Sequence, residues 1–427
     1  MQEFLITAVD IGTRKISASC GISSKDKEVE ILGSSCVSSN GVEKGELVDL
    51  YKCKEQFIKV LNDLEESVSK EINDIYIGIP SSHIRVIERS FEDNIYGKIT
   101  HRDLNEAFEN LKKSIYLNND EEICDILVNY YKVDDKISEE SVIEWQGEKL
   151  EINATVIVCK KDIINKYRDL CKGTKYKIKG FIVNIMSLRK IFLFNDKLDD
   201  KVILECGAGI TEIGIFKDGI FKDGYSIPLG GDNITSDLSI CAGLSYDEAE
   251  ILKYNYSHKY KSESEDLKDK EIKIGEKNIH KELFYKVCEA RIEEILNYVN
   301  NELKNTSHFT DICSIILCSD SLTNFENINE IVKNIIHNNV RIITKNEFGM
   351  QNFSNITSLA IVKEVHDRLE LVYEDFTKEV KGDTLVLEKA SDINRDQKNP
   401  LNLKDKKKKK RNESIKGKLR SLLEDIF

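Results

Sequence analysis

No apolar run in this 427-residue chain approaches the ~18 residues that mark a membrane-spanning helix. The eleven cysteines are odd in number and contain no CxxC pair, so free thiols in a reducing cytoplasm are expected rather than a disulfide framework. The seven histidines are scattered, with no HExxH or other ligand spacing, which argues against a zinc centre. No signal-peptide pattern opens the chain, which enters a strand at once. Positive charge is also short: the net charge is −12, so no nucleic-acid partner is expected for the body. The exception is the end. Residues 404–427 hold ten Lys/Arg against four Asp/Glu, a local +6 that leaves −18 for the remainder. That asymmetry points to a basic tail with its own partner.

A hydrophobic content of 40% supports a folded globular protein, and 427 residues exceed what one simple core holds, so two or more lobes are expected. The most informative stretch is 202–217. An apolar run ends at Glu205, Gly207, Ala208 and Gly209 turn the chain, Thr211 supplies a hydroxyl, and a second strand returns. Small residues let backbone N–H groups converge on a phosphate, and a strand-end carboxylate can hold Mg²⁺ through water. On its own such a hairpin is commonplace. Here the chain repeats it: at 6–18 an apolar strand ends in Asp10, followed by Gly12, Thr13, Lys15 and a returning strand. The two carboxylates are 195 residues apart (205 − 10), which suggests two related lobes closing on one phosphate chain.

Between these landmarks the patterns are ordinary. Residues 4–37 fit three strands, 47–68 a helix lined by Leu50, Phe57, Ile58, Leu61, Leu64 and Val68, and 74–79 a short strand ended by Pro80. Residues 84–165 read as a separate α/β insertion, with strands near 85–91, 129–133 and 150–159 and a helix over 102–115 capped by Thr100. After a helix at 161–171 and a strand at 179–183 comes the second hairpin. Pro228 to Asp232, with Gly230 and Gly231, forms another small-residue turn leading into helices. Residues 257–281 read as a solvated polar excursion, 282–303 as a strong helix, 312–317 as a buried strand and 356–371 as a helix returning to the first lobe. Residues 376–412 are polar and read as a disordered linker. In the last stretch Ile415, Leu419, Leu422, Leu423, Ile426 and Phe427 share one helical face, flanked by Lys416, Lys418 and Arg420. An amphipathic helix beside a polybasic run fits an anionic membrane surface, each cation adding ~1 kcal/mol. Docking back onto the fold or onto a partner is the plainer alternative.

Taken in order, these motifs resemble the FtsA family of bacterial division proteins, of the actin/Hsp70/sugar-kinase superfamily. Ala8 to Lys15 looks like the family's phosphate-1 motif and Glu205 to Glu212 its phosphate-2 motif. Gly41 to Asp49 and Tyr76 to Ile84 are similar to its next signatures, and Leu229 to Leu238, followed by Glu248 to Lys253, to the stretch entering the nucleotide lobe. The resemblance implies an α/β, two-lobed actin-like fold with an inserted subdomain and a C-terminal amphipathic helix. Its division is a first lobe over 1–83 and 166–200, the insertion at 84–165, a second lobe over 201–354, a returning helix at 355–375, a linker at 376–412 and a membrane helix at 413–427. It implies ATP and Mg²⁺ in the interlobe cleft, with Asp10 and Glu205 around the metal and its waters. Gly12, Thr13, Lys15, Gly207, Ala208, Gly209 and Thr211 would hold phosphates, Gly230 and Gly231 would border the cofactor, and Glu250 and Lys253 would lie near ribose and base. It also implies head-to-tail self-polymerisation and tethering of FtsZ to the inner face of the cell membrane at the septum, with later division proteins as further partners.

The departures matter too. The family usually has aspartate and three glycines in phosphate-2, where this chain has Glu205 and Ala208, and a glycine-rich adenosine turn where it has Cys318, Ser319, Asp320 and Ser321. The expectation is therefore at most a weak ATPase, with no catalytic residue assigned. A nucleotide-independent actin-like scaffold, of division or pilus-assembly type, and a small-molecule kinase of the same superfamily stand as alternatives.

Overall fold

The computed structural model describes residues 3–24, 27–193, 200–257, 271–319, 321–325, 327–343 and 354–369. The expected linker, the amphipathic helix with its membrane-facing residues, and Asp320 lie outside them.

Strand β1 (Glu3–Ile11) is buried on both faces from Ile6 onward, as befits a central strand written as a continuous apolar run. It turns at 12–14 into β2 (Lys15–Ser24), antiparallel in the register Ile11↔Ile16, and β3 (Glu30–Ser38) continues the sheet. A small hairpin, β4 (Val42–Glu43) and β5 (Glu46–Leu47), precedes helix α1 (Leu50–Val68). Asp49 caps α1 by accepting from the Lys52 N–H, and Cys53, Phe57, Val60, Leu61 and Leu64 form its buried stripe. Strand β6 (Asp74–Ile79) then lies parallel to β1.

The chain next leaves for a second sheet. Strand β7 (Ile84–Lys98), helix α2 (His101–Lys113), β8 (Glu121–Val133), β9 (Lys136–Ser138) and β10 (Gln146–Lys160) give the order β7-β10-β8-β9. The sheet and α2 share a core of Ile99, Leu104, Leu111, Leu150 and Ile152, with Trp145 partly buried against it. Its strands run well beyond the segments expected from sequence. At their lower ends Cys124, Leu127, Ile157 and Cys159 join the first-lobe core, as do Ile164, Tyr167 and Leu170 of α3 (Lys161–Cys171). Strand β11 (Lys177–Val183) completes the first sheet in the order β11-β6-β1-β2-β3, followed by the single turns α4 (Asn184–Ser187) and α5 (Arg189–Phe192).

The second lobe repeats the plan. Strands β12 (Lys201–Cys206), β13 (Thr211–Lys217) and β14 (Ile220–Ile227) precede helices α6 (Gly231–Ala242) and α7 (Tyr246–Tyr256). A hairpin of β15 (Glu271–Ile274) and β16 (Lys277–His280) follows, then α8 (Lys281–Asn305), β17 (Ser314–Cys318), α9 (Ile328–Ile335) and β18 (Asn339–Ile342). The sheet order β14-β13-β12-β17-β18 is the first sheet's order read in reverse, with β12 in the place of β1 and its antiparallel hairpin partner β13 in the place of β2. The β15–β16 hairpin corrects the expected polar excursion: Ile272, Ile274 and Ile279 are buried in the second-lobe core.

Helix α10, over 356–369, returns to the first lobe and buries Ile356, Ala360, Ile361, Val362, Val365 and Leu369 in its core. Polar contacts fix its seat on β2: Ser19 Oγ lies 2.7 Å from Ser358 Oγ, and Ser23 Oγ 2.7 Å from His366 Nδ1. Its charged face meets the insertion. Arg368 donates to both oxygens of Asp125 on β8 (2.8 and 3.0 Å) and through Nε to Glu364 (3.1 Å). Arg189 donates to the same Glu364 at 2.9 and 3.2 Å. Asp125 and Glu364 are 3% and 1% exposed, so both carboxylates of this network are out of water.

Candidate functional site in the interlobe cleft

The two hairpin turns are built alike. In the first, the Gly12 N–H donates to the Lys15 carbonyl at 2.9 Å; in the second, the Gly207 N–H donates to the Ile210 carbonyl at 2.9 Å. The offset is again 195 (207 − 12 and 210 − 15). The turns also touch. A Cβ on Gly209 would lie 2.3 Å from Thr13 Oγ1 and 3.0 Å from Lys44 Cα, so only glycine allows this approach. Thr13 Oγ1 accepts from the Gly45 N–H at 3.0 Å, tying the β4–β5 turn to the same place.

Between the lobes lies a cleft of about 530 Å³, within the usual size of small-molecule sites. Asp10, Gly12, Thr13 and Lys15 line it from the first lobe, and Glu205, Gly207, Ala208 and Gly209 from the second. Glu250 and Lys253 of α7 line its far end. Three expected residues are not part of the lining. Thr211 is 1% exposed and donates to the Leu229 carbonyl at 2.9 Å, so its hydroxyl serves the turn. Gly230 and Gly231 stand behind it, where the Gly231 and Asp232 N–H groups donate to the Gly207 and Ala208 carbonyls at 3.0 and 2.8 Å.

Several lining residues escaped the sequence reading. Glu212 of β13 is buried and accepts from the Ser81 N–H and hydroxyl at 2.7 and 2.8 Å. Burial lifts its carboxyl to about 7, against the pull of the Ser81 bonds and with help from nearby Asp10. Burial likewise raises Asp10 to about 6, against Lys15 and the hydrogen bond from Asn184 Nδ2 at 3.1 Å. Asn184 Oδ1 is buried without a partner. Arg14 reaches across to Asp232 at 2.8 Å. The only sequence hint of these was a lone acid in a buried strand and a second cation in a turn.

The far end is more committed. Lys253 is buried: it donates to Thr235 Oγ1 at 2.7 Å and the Gly231 carbonyl at 3.1 Å, and pairs with Glu250 at 2.8 Å. Ser319 donates to the Cys206 carbonyl at 2.6 Å, and Ser321 to the Gly207 carbonyl at 3.1 Å. A Cβ on Gly231 would meet Ser321 Oγ at 2.3 Å. The serines that replace the expected glycine turn are therefore turned onto the phosphate-2 backbone.

The donor set at the hairpin end is carboxylate and amide oxygen, the chemistry that suits Mg²⁺. Among the described residues no three His, Cys, Asp or Glu side chains are placed to hold one metal ion together, so a magnesium ion there would keep most of its water. Five carboxylates face three cations in the lining. A polyphosphate entering such a site needs a divalent cation to offset repulsion.

A family model for Cell division protein FtsA matches residues 202–360. The chain is 27% identical over 317 residues to the cell division protein FtsA of Buchnera aphidicola subsp. Baizongia pistaciae, across 72% of this chain and 74% of that one. It is 24% identical over 371 residues to that of Bacillus subtilis, across 84% and 83%. By both comparisons the chain is similar to the FtsA family of cell division proteins. Among solved structures, the PilM-PilN type IV pilus biogenesis complex superposes with a TM-score of 0.56 at 10% identity, covering 84% of this chain and 98% of that one. That likeness concerns the fold, and with it the expected actin-like α/β architecture is met. The match to the FtsA model covers β12 to the first turn of α10, so it includes the second hairpin, Glu250, Lys253 and the serine turn.

Proposed function

We propose that the chain is an FtsA-type adaptor that binds ATP·Mg²⁺ in the interlobe cleft and uses it for assembly, with weak turnover or none. The observation that carries this reading is the pair of matched hairpins, one from each lobe, that present Asp10 and Glu205 to one cleft. Bound Mg²⁺ would supply positive charge to the phosphates. Asp10 and Glu205 would hold its water shell, the two turns would face the phosphates, and Glu250 would border the sugar. In the same reading the protein forms head-to-tail polymers, tethers FtsZ filaments to the inner face of the membrane at the septum through 413–427, and recruits later division proteins.

One observation favours a second reading. Ser319 and Ser321 donate to the carbonyls of Cys206 and Gly207 and so brace the second-lobe turn with the protein's own side chains, which suits a nucleotide-independent scaffold. Titration calorimetry with Mg·ATP separates the two: binding that disappears in EDTA supports the nucleotide reading, and no heat with folded protein supports the scaffold. Co-sedimentation with FtsZ filaments on anionic vesicles tests the adaptor role. Recruitment should be lost on deleting 413–427, and absence of recruitment by the full chain would remove that role whatever the calorimetry shows.

A further inference from the structure

Arg14 is a cation of the cleft that none of the readings above employs. It sits in the first hairpin turn, beside Thr13, which packs on Gly209 of the second. Its Nε donates to Asp232 Oδ1 at 2.8 Å, across 218 residues of sequence. Its guanidinium lies over the Tyr246 ring, 4.4 Å from the centroid, and the Tyr246 hydroxyl donates to the same Asp232 oxygen at 3.0 Å. Asp232 is itself pinned, because its N–H donates to the Ala208 carbonyl of the second turn. One side chain thus links the first turn to the second turn and to the starts of α6 and α7.

This differs from an ordinary surface ion pair, which contributes little. The guanidinium bonds a carboxylate through Nε and lies over an aromatic face, and the hydroxyl of that ring bonds the same carboxylate oxygen. Burial works against the Arg14 charge, but the hydrogen bond and charge of Asp232 outweigh it and hold the guanidinium protonated. Of the deeper contacts between the lobes, Ser81 to Glu212 is buried and Ser81 to the Tyr225 carbonyl is partly buried. Arg14 and Asp232 are half and one-quarter exposed, so their pairing stands at the solvent edge of the cleft.

We propose that Arg14, Asp232 and Tyr246 form a clasp across this edge that sets how fast a polyphosphate ligand enters and leaves. The proposal rests on the reading of the cleft as a nucleotide site. A clasp must open for both entry and exit, so its loss speeds both steps and leaves their ratio nearly unchanged. A direct phosphate ligand behaves otherwise, since its loss raises the dissociation rate alone and weakens affinity.

The test is stopped-flow binding of fluorescently labelled ATP with Mg²⁺ to the full-length protein. Arg14→Ala and Asp232→Ala should each raise the association and dissociation rates about tenfold, with Kd within about threefold of the parent. The double variant should be no faster than either single one. Arg14→Lys, which keeps charge but loses the Nε bond and the stacking of the planar group, should fall between. A tenfold weaker Kd at unchanged association rate would make Arg14 a phosphate ligand and overturn the clasp. If the parent binds no nucleotide, the reading of the cleft fails, and the clasp is judged on the ligand-free protein by amide hydrogen exchange. Arg14→Ala should then speed exchange at least fivefold in both 12–15 and 231–234, and an effect confined to one lobe, or none, would overturn it.

Discussion

Asp125→Ala offers the sharpest test of how the insertion is held. Asp125 takes both terminal nitrogens of Arg368, at 2.8 and 3.0 Å, in a setting where it is 3% exposed. Removing it leaves the guanidinium buried with its 3.1 Å bond to Glu364, which already serves Arg189. Breaking a buried pair in this one-sided way costs about 3–5 kcal/mol, a large share of a typical folding stability of about 5–15 kcal/mol. The chain has one tryptophan, Trp145, packed against the insertion's own core, so its fluorescence follows that part of the molecule. With a urea dependence of about 2 kcal/mol per molar, the Trp145-detected midpoint should fall by about 1.5–2.5 M. Asp125→Leu with Arg368→Leu removes both charges and leaves Glu364 with Arg189, so it should recover at least half of the loss. A shift below about 0.3 M, or a double variant as damaged as the sum of the singles, would refute the account. The network also has a pH signature. Burial works to raise the Glu364 carboxyl, but Arg189, Arg368 and Lys190 outweigh it and hold it well below the carboxylate range. Its folded value lies below its unfolded one, so this stabilisation is present above about 4.5 and drains away as pH falls towards the folded value.

Glu212 has the opposite sign. Its folded value of about 7 lies above the unfolded 4.5, so the folded state binds the proton more tightly and stability falls as pH rises between the two, by roughly 3 kcal/mol at most. Glu212→Gln should flatten most of that slope in urea melts at pH 5 and pH 8 without Mg²⁺; an unchanged slope would assign it to Asp10 instead. Gly209→Ala should cost about 1–3 kcal/mol, because its methyl meets Thr13 Oγ1. Thr13→Ala in the same chain should return part of this, and no rescue would mean that Lys44 is the obstacle. In calorimetry, Asp10→Asn should weaken Mg·ATP binding at least tenfold while leaving the thermal midpoint within a few degrees; unaltered affinity would exclude Asp10 from the metal end.

The hairpins were legible because a strand-end acid, a glycine and a hydroxyl recur at one spacing, and the structure gives both turns the same closing bond. Helix α3 was legible to the residue, and β6 with it, since period and punctuation agreed. Strand β7 is longer than its sequence pattern suggests because its outer half is polar: Glu92, Asp93 and Asn94 belong to it yet look like a loop. The β15–β16 hairpin was missed for a related reason. Its alternation, Ile272, Ile274 and then Ile279, is hidden among Lys and Glu, although Gly275 at φ 58° marks the turn. At the cleft, the lining residues expected from sequence are those written within a local motif, Thr211, Gly230 and Gly231 excepted, whereas those that depend on contacts across the lobes leave no such mark. Ser81 meets Glu212 across 131 residues and Arg14 meets Asp232 across 218. No local pattern encodes such a pairing.

The seat of α10 has a consequence for the order in which the molecule can be made. Ser17 finds Ser358 across 341 residues, and Ser23 finds His366 across 343. At a synthesis rate of about 5–20 residues per second, β2 waits roughly 20–70 s for the helix that covers it. The second-lobe core, by contrast, is drawn among the described residues from 202–342, a stretch that can close as soon as it leaves the ribosome. The lobe that emerges first is thus completed last, and through that interval the nascent chain carries an open apolar face along β1 and β2 for a chaperone to shield.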